Sequence, residues 1–167
     1  FLPIAFFKTH TVVAGDFLPK KVFESSSTTG LNTSKHLVKN LDLYHTNCTK
    51  IIEQKLGDIT DYEISGLLPN YLERDNSSLV NMVAHLMDHN KQEKAFYLYN
   101  HKDLFDKMKN TSTKQLLFGV SFALLDFAEK YNVINSNLTV IETGGMKGRK
   151  KEITKTEVYN ELKVAFP

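Results

Sequence analysis

Leu116-Leu117-Phe118-Gly119-Val120-Ser121-Phe122-Ala123-Leu124-Leu125-Asp126-Phe127-Ala128-Glu129-Lys130 is the stretch on which the fold assignment turns. Residues 116–120 form a short apolar run of strand length. Residues 122–130 then carry Phe122, Leu125 and Ala128 at helical spacing, on one face of a helix. A strand feeding directly into an amphipathic helix is half of a βαβ unit, and parallel strands require crossover connections of that kind.

The alternation extends outward from this unit. Toward the C-terminus, residues 138–142 read as a strand, 144–151 as a loop, and 154–166 as a final helix with Val158, Leu162 and Ala165 in register. Toward the N-terminus, 101–108 read as a short helix and 95–99 as a strand. Leu79, Val80, Met82, Val83, Leu86 and Met87 mark another helix, with Asn76 or Ser77 as its N-cap. Residues 62–68 form a strand closed by Pro69. Leu37, Leu41, Tyr44, Cys48, Ile51 and Lys55 step by four and three, which predicts one long amphipathic helix from about residue 37 to Gly57. A strand at 21–24 and a Ser/Thr/Gly loop at 25–34 precede it. The order predicts an α/β fold, an open and mostly parallel sheet with crossover helices, in one domain over residues 1–167.

Composition agrees. Of 167 residues, 41% are hydrophobic and 24% charged, the balance of a chain that can build its own core. The net charge of +2 is too small for a dedicated polybasic nucleic-acid or membrane-surface protein. The single cysteine, Cys48, excludes an intramolecular disulfide framework and the multi-cysteine zinc motifs. It lies on the predicted helix stripe and reads as a buried structural thiol. No apolar run reaches the roughly 18–20 residues of a membrane span. The opening Phe1-Leu2-Pro3-Ile4-Ala5-Phe6-Phe7 lacks a basic leader and is interrupted by Pro3, which argues against a signal peptide and for a cytoplasmic protein.

Two loops carry candidate chemistry. The first is Ser25-Ser26-Ser27-Thr28-Thr29-Gly30, with Lys35 shortly after. Read as a strand-to-helix loop, its small residues let backbone amides turn toward an anion, its hydroxyls add donors, and Lys35 and a helix N-terminus add positive potential. It lacks the Gly-x4-Gly-Lys-Ser/Thr spacing, and a flexible connector explains the same composition. The second is Glu142-Thr143-Gly144-Gly145-Met146-Lys147-Gly148-Arg149-Lys150-Lys151. It follows a strand and precedes a helix, at the sheet edge where open α/β proteins bind ligands. The paired glycines permit close backbone approach to a flat ligand, and Lys147 and Arg149 suit phosphate or carboxylate. Glu152 and the absence of interleaved aromatics argue against a nucleic-acid patch. The segment 68–78, with Tyr71, Arg74 and Ser77, reads as an ordinary βα loop. His85 and His89 have i,i+4 spacing but lack the glutamate of a His-Glu-x-x-His motif, and read as two exposed histidines.

Taken together, the two loops resemble the acyl-protein synthetase family, the fatty-acid-activating subunit of the bacterial luminescence fatty-acid reductase and its relatives outside luminescence. That family belongs to the adenylate-forming ligases. Phe1-Leu2-Pro3-Ile4-Ala5-Phe6-Phe7-Lys8, Leu67-Leu68-Pro69-Asn70-Tyr71-Leu72-Glu73-Arg74 and Phe118-Gly119-Val120-Ser121-Phe122-Ala123-Leu124-Leu125 are similar to it as well. The resemblance implies a ligase that uses ATP and Mg²⁺ to activate a carboxylic acid, such as a fatty acid, as acyl-adenylate. The acyl group then passes to a protein acceptor. It implies that Ser26, Ser27, Thr28, Thr29 and Gly30, with Lys35 near, hold phosphates. It also implies that Gly144 and Gly145 lie against adenine, with Lys147 and Arg149 beside them. The family's Tyr-Gly-x-Thr-Glu motif, whose glutamate helps hold Mg²⁺, does not occur in these residues. By this resemblance the stretch looks like the middle portion of a larger synthetase. The alternative is a non-catalytic α/β module of the same ancestry, partner-binding or structural.

Ser27 stands where the family's loop has glycine, which gives a test of the phosphate role. Ser27→Gly should tighten ATP binding by up to about tenfold, equivalent to about 1.4 kcal/mol, because glycine frees the backbone to point its amides at an anion. Thr29→Val, which removes one hydroxyl at similar shape, should weaken it. Calorimetric titration of the three proteins with ATP measures both.

Overall fold

A computed structural model describes residues 2–25, 33–69, 76–109, 111–144, 146 and 153–167. Two parallel strands form its spine: β3 (Tyr62–Leu67) and β5 (Lys114–Gly119) run side by side from Tyr62↔Lys114 to Leu67↔Gly119. Ile64, Leu67, Leu116 and Leu117 are fully buried. Such near-continuous apolar runs are what strands covered on both faces require. The edge strands are β4 (Phe96–Tyr97), beside β3, and β6 (Leu138–Glu142), beside β5, giving an all-parallel order β4-β3-β5-β6.

The expected open α/β sheet is present, with α3 (Ser78–His89), α4 (His101–Met108) and α5 (Ser121–Ala128) as its crossovers. From β3 the chain moves outward to β4, returns across to β5, and moves outward again to β6. With right-handed crossovers, α3 covers one face and α4 and α5 the other. Side-chain contacts follow that division. Phe127 of α5 packs against His101 of α4 and against Phe166, just past the last helix, α6 (Lys155–Ala165). On the other face α3 meets α2 (Leu41–Leu56). Because the connections leaving β3 and β5 diverge, their carboxyl ends flank a crevice, the place where open α/β sheets take ligands.

The N-terminal third departs from the expectation. After a short turn of helix, α1 (Phe6–Thr9), strand β1 (Lys21–Glu24) does not join the parallel sheet. It pairs antiparallel with β2 (Lys35–Val38), from Lys21↔Val38 to Glu24↔Lys35. Leu37 and Val38, expected in the long helix, therefore belong to a strand, and α2 begins at Leu41. Asn40 sets that boundary: its side chain accepts from the Leu43 amide at 3.1 Å, an N-cap that ends the extended segment. Two apolar residues at a strand end happen to fall in phase with the helix that follows, so spacing alone merges them. The hairpin reaches the main sheet's carboxyl side, where the Glu24 amide donates to the Asn76 carbonyl at 2.9 Å, next to the α3 N-cap Ser77.

Strand β4 is only two residues long, and two side chains complete its work. The Gln92 amide accepts from the Ile64 N–H at 2.9 Å and donates to the Ile64 carbonyl at 2.7 Å. Asn90 Nδ2 donates to the carbonyls of Ile59 at 2.8 Å and Tyr62 at 2.9 Å. Side-chain amides thus continue the ladder along β3 where backbone pairing stops. Gln92→Ala should leave two buried polar groups of Ile64 without these partners and cost about 2–4 kcal/mol. A urea or thermal unfolding curve measures the loss.

Candidate functional site

At the carboxyl edge the close fit of β5 against α5 sets the geometry. A Cβ on Gly119 would lie 2.5 Å from Leu124 Cγ and Cδ2, and Leu124 is fully buried. Only glycine allows the strand to pass so near the first turn of the helix. That places Ser121, 4% exposed, directly beside the end of β6. Its hydroxyl donates to Glu142, and the same carboxylate oxygen accepts from the Gly144 amide at 2.7 Å. Thr143 adds two bonds to the Gly119 carbonyl, from its amide at 3.0 Å and its hydroxyl at 3.1 Å. The end of β6 is therefore tied at three successive residues to the β5–α5 junction.

Gly144 has φ 81°, a left-handed conformation that favours glycine, and a Cβ built there would meet nothing within 4 Å. The backbone presents an open face at this point. Beside it lies a groove of about 740 Å³ between the turn and α6. Met146, Ile153, Val158 and Leu162 supply apolar lining, Ser121 and Glu142 polar groups, and the exposed Lys155 and Tyr159 border it. The mixture suits a flat, amphipathic ligand with hydrogen-bond donors at one edge. At the N-terminus of α6 the Thr154 and Glu157 amides serve a capping box. Thr154 Oγ1 accepts from the Glu157 amide at 3.2 Å, and Glu157 accepts from the Thr154 amide at 2.6 Å. Those bonds hold the Glu157 carboxyl below its ordinary range and place a negative charge there.

Of the residues singled out from sequence, Gly144 lies in this turn, while Gly145, Lys147 and Arg149 fall outside the described residues. Ser26, Ser27, Thr28, Thr29 and Gly30 also fall outside them, as do Tyr71 and Arg74. Their flank is described. The Ser25 amide donates to the Ser34 carbonyl at 2.9 Å, and the Ser34 amide to Ser25 Oγ at 2.9 Å, which closes the base of the hairpin. This corrects the strand-to-helix reading of the first loop. The next element is β2, so no helix N-terminus directly after the loop adds its dipole. Lys35, expected at a helix start, is an exposed strand residue 3.7 Å from Glu24. Through the Glu24–Asn76 bond, however, the hairpin mouth stands at the carboxyl edge of the sheet, the edge that also carries Gly144.

Ser77, one of the two expected N-caps of α3, accepts from the Val80 amide at 3.3 Å and is buried. Two further readings are revised. Cys48 is only half-buried, and Ile51, expected on the same stripe, is exposed. His85 is half-buried between α2 and α3 rather than exposed. Among the described residues no group of three or more His, Cys, Asp or Glu side chains is placed to hold a metal ion, and no helix is long and apolar enough to cross a membrane. Sequence reasoning gave no role to Ser121 or to the Glu142 carboxylate. The available signal was a serine placed two residues after a glycine at the end of a buried strand, where strand meets helix. No family model, curated protein or solved structure matches this chain.

If the Glu142 carboxylate shapes the turn, Glu142→Ala should raise the exchange rate of the Gly144 amide about tenfold, the loss of one such hydrogen bond. The β3 and β5 amides should be unaffected. Amide hydrogen exchange read residue by residue by NMR checks both.

Proposed function

We propose that this chain is the nucleotide-binding core of an ATP-dependent acyl-protein synthetase, which activates a carboxylic acid and passes the acyl group to a protein. The observation that supports this most directly is the Gly144 turn. It is an open backbone face, pinned through Glu142 and Thr143, over a partly apolar groove at the carboxyl edge of a parallel sheet. In this reading adenine lies against Gly144 and Gly145, above Met146, Ile153, Val158 and Leu162. The phosphates extend toward Ser26, Ser27, Thr28, Thr29 and Gly30, with Lys147 and Arg149 as further cationic partners.

The chemistry follows from what such a site supplies. A carboxylate oxygen attacks the α-phosphorus of ATP, the bond to the β-phosphate oxygen breaks, and pyrophosphate leaves. A nucleophile on the acceptor protein, such as a thiolate, then attacks the acyl carbon, and AMP departs. The protein's part is to hold the reacting groups in line and neutralise developing charge. Mg²⁺, when bound, supplies part of that neutralisation.

Three features favour the second reading, a non-catalytic module of the same ancestry. Residues 26–32 lie between antiparallel strands, Lys35 stands near Glu24, and Ser27 replaces the family's glycine. Phosphate affinity is the property these features weaken.

Thermal denaturation in the presence of ATP, and of a non-hydrolysable acyl-adenylate analogue, separates the two. A ligand at about 100 times its Kd adds about 2.7 kcal/mol, a rise of roughly 5–10 °C for a chain of this size. The synthetase reading expects such a rise with both, at a lower concentration of the analogue. No rise with either leaves the non-catalytic module as the better account.

A further inference from the structure

The seam between α2 and α3 is unusual for a helix pair because its N-terminal half is polar and aromatic. The rings of His45 on α2 and His85 on α3 are stacked, with centroids 4.1 Å apart and planes 4° from parallel. Each ring also reaches across to the other helix. His45 Nε2 is 2.8 Å from Asn81 Oδ1 of α3, and His85 Nε2 is 3.2 Å from Thr49 Oγ1 of α2. One helix turn away, the Tyr44 hydroxyl donates to the Ser78 carbonyl at 3.1 Å, while its ring packs 5.0 Å from Phe23 of β1. Thr49 is the single buried residue of α2; Leu43 and Ile51 point to solvent, and Ile52 and Leu56 reach the core only farther along. Little apolar burial holds the first half of α2 in place, so the histidine pair and its two cross-helix bonds carry much of that attachment.

We propose that the stacked His45–His85 pair is an acid-sensitive latch whose protonation parts the first half of α2 from α3 and loosens the β1–β2 hairpin from the carboxyl edge of the sheet. Two imidazolium rings stacked this closely repel each other, and the surroundings compensate poorly. Around His85 stand His45 from α2, His89 and Asp88 from α3, and Lys94 from the segment after α3, while the Tyr44 ring lies against His45. Asp88 is the one carboxylate in this set, and Lys94 already pairs with it. Asp58, from the turn before β3, faces His89 instead. Burial, and then the neighbouring His45, hold the His85 imidazole below the ordinary histidine range. A histidine depressed in the folded state is bound neutral, so its contribution is complete above about pH 6.5 and is lost as the pH falls below that value. Because Tyr44 bridges β1 and α3, movement of α2 passes to the hairpin through the Phe23 contact.

The test is amide hydrogen exchange of the unmodified protein at pH 7.5 and 5.0, corrected for intrinsic rates. Protection in α2 residues 41–49 and in the β1–β2 ladder should drop at least tenfold at pH 5.0, with less than a twofold change in β3 and β5. In the His45→Gln/His85→Gln double variant, which keeps hydrogen-bonding side chains but cannot charge, the drop should shrink to less than twofold. Unchanged protection in the unmodified protein, or an equal drop in the variant, overturns the proposal. If the variant does not fold, the imidazole NMR titration of the unmodified protein decides: a His85 midpoint below 6.5 supports the latch, and one at or above 6.5 overturns it.

Discussion

The pairing of β3 with β5 is the constraint on which the rest of the structure depends. Six registered residue pairs bring Ile64, Leu67, Leu116 and Leu117 together out of water. Burying both faces of these strands requires helices on both sides, and the parallel direction requires that the connections be crossovers. From that follow the division of α3 from α4 and α5 and the divergence of the chain at the carboxyl ends of β3 and β5. The candidate site borders that divergence.

The site's turn inherits its shape from the same spine. Gly119 is small because β5 must pass Leu124 closely, and that closeness places the Ser121 hydroxyl where it reaches Glu142. Glu142 in turn fixes the Gly144 amide. A packing requirement in the core is thereby transmitted, through two side chains, to the conformation of a surface turn. The hairpin is tied in another way: the Glu24 amide bonds the Asn76 carbonyl, the Tyr44 ring of α2 packs against Phe23, and Phe23 and Val38 are buried.

Completion of the sheet edge illustrates how side chains substitute for backbone. Strand β4 pairs only at Gly66 and Leu67, yet β3 needs partners farther back. Gln92 and Asn90 provide them. These amides lie between α3 and β4 in sequence, in a stretch that reads from its composition as an ordinary polar connection.

Most of the main sheet was legible in the amino-acid sequence, because burial leaves a one-dimensional record. The runs at 62–68, 116–120 and 138–142 and the apolar spacing of α3, α5 and α6 each reflect which faces avoid water, and each element lies within a residue or two of its expected place. The edge that carries the candidate site followed from the order of those elements. Strand partnership leaves no such record: nothing in Lys21-Val22-Phe23-Glu24 specifies whether its hydrogen bonds go to the main sheet or to residues 35–38, since any extended backbone offers the same donors and acceptors. The helical phase of Leu37 and Val38 concealed the partner strand. The pairing of Ser121 with Glu142 and of His45 with His85 joins residues 21 and 40 positions apart, and no local pattern encodes it. Tertiary packing alone decided those contacts, because they depend on where two separately specified helices and strands come to rest against one another.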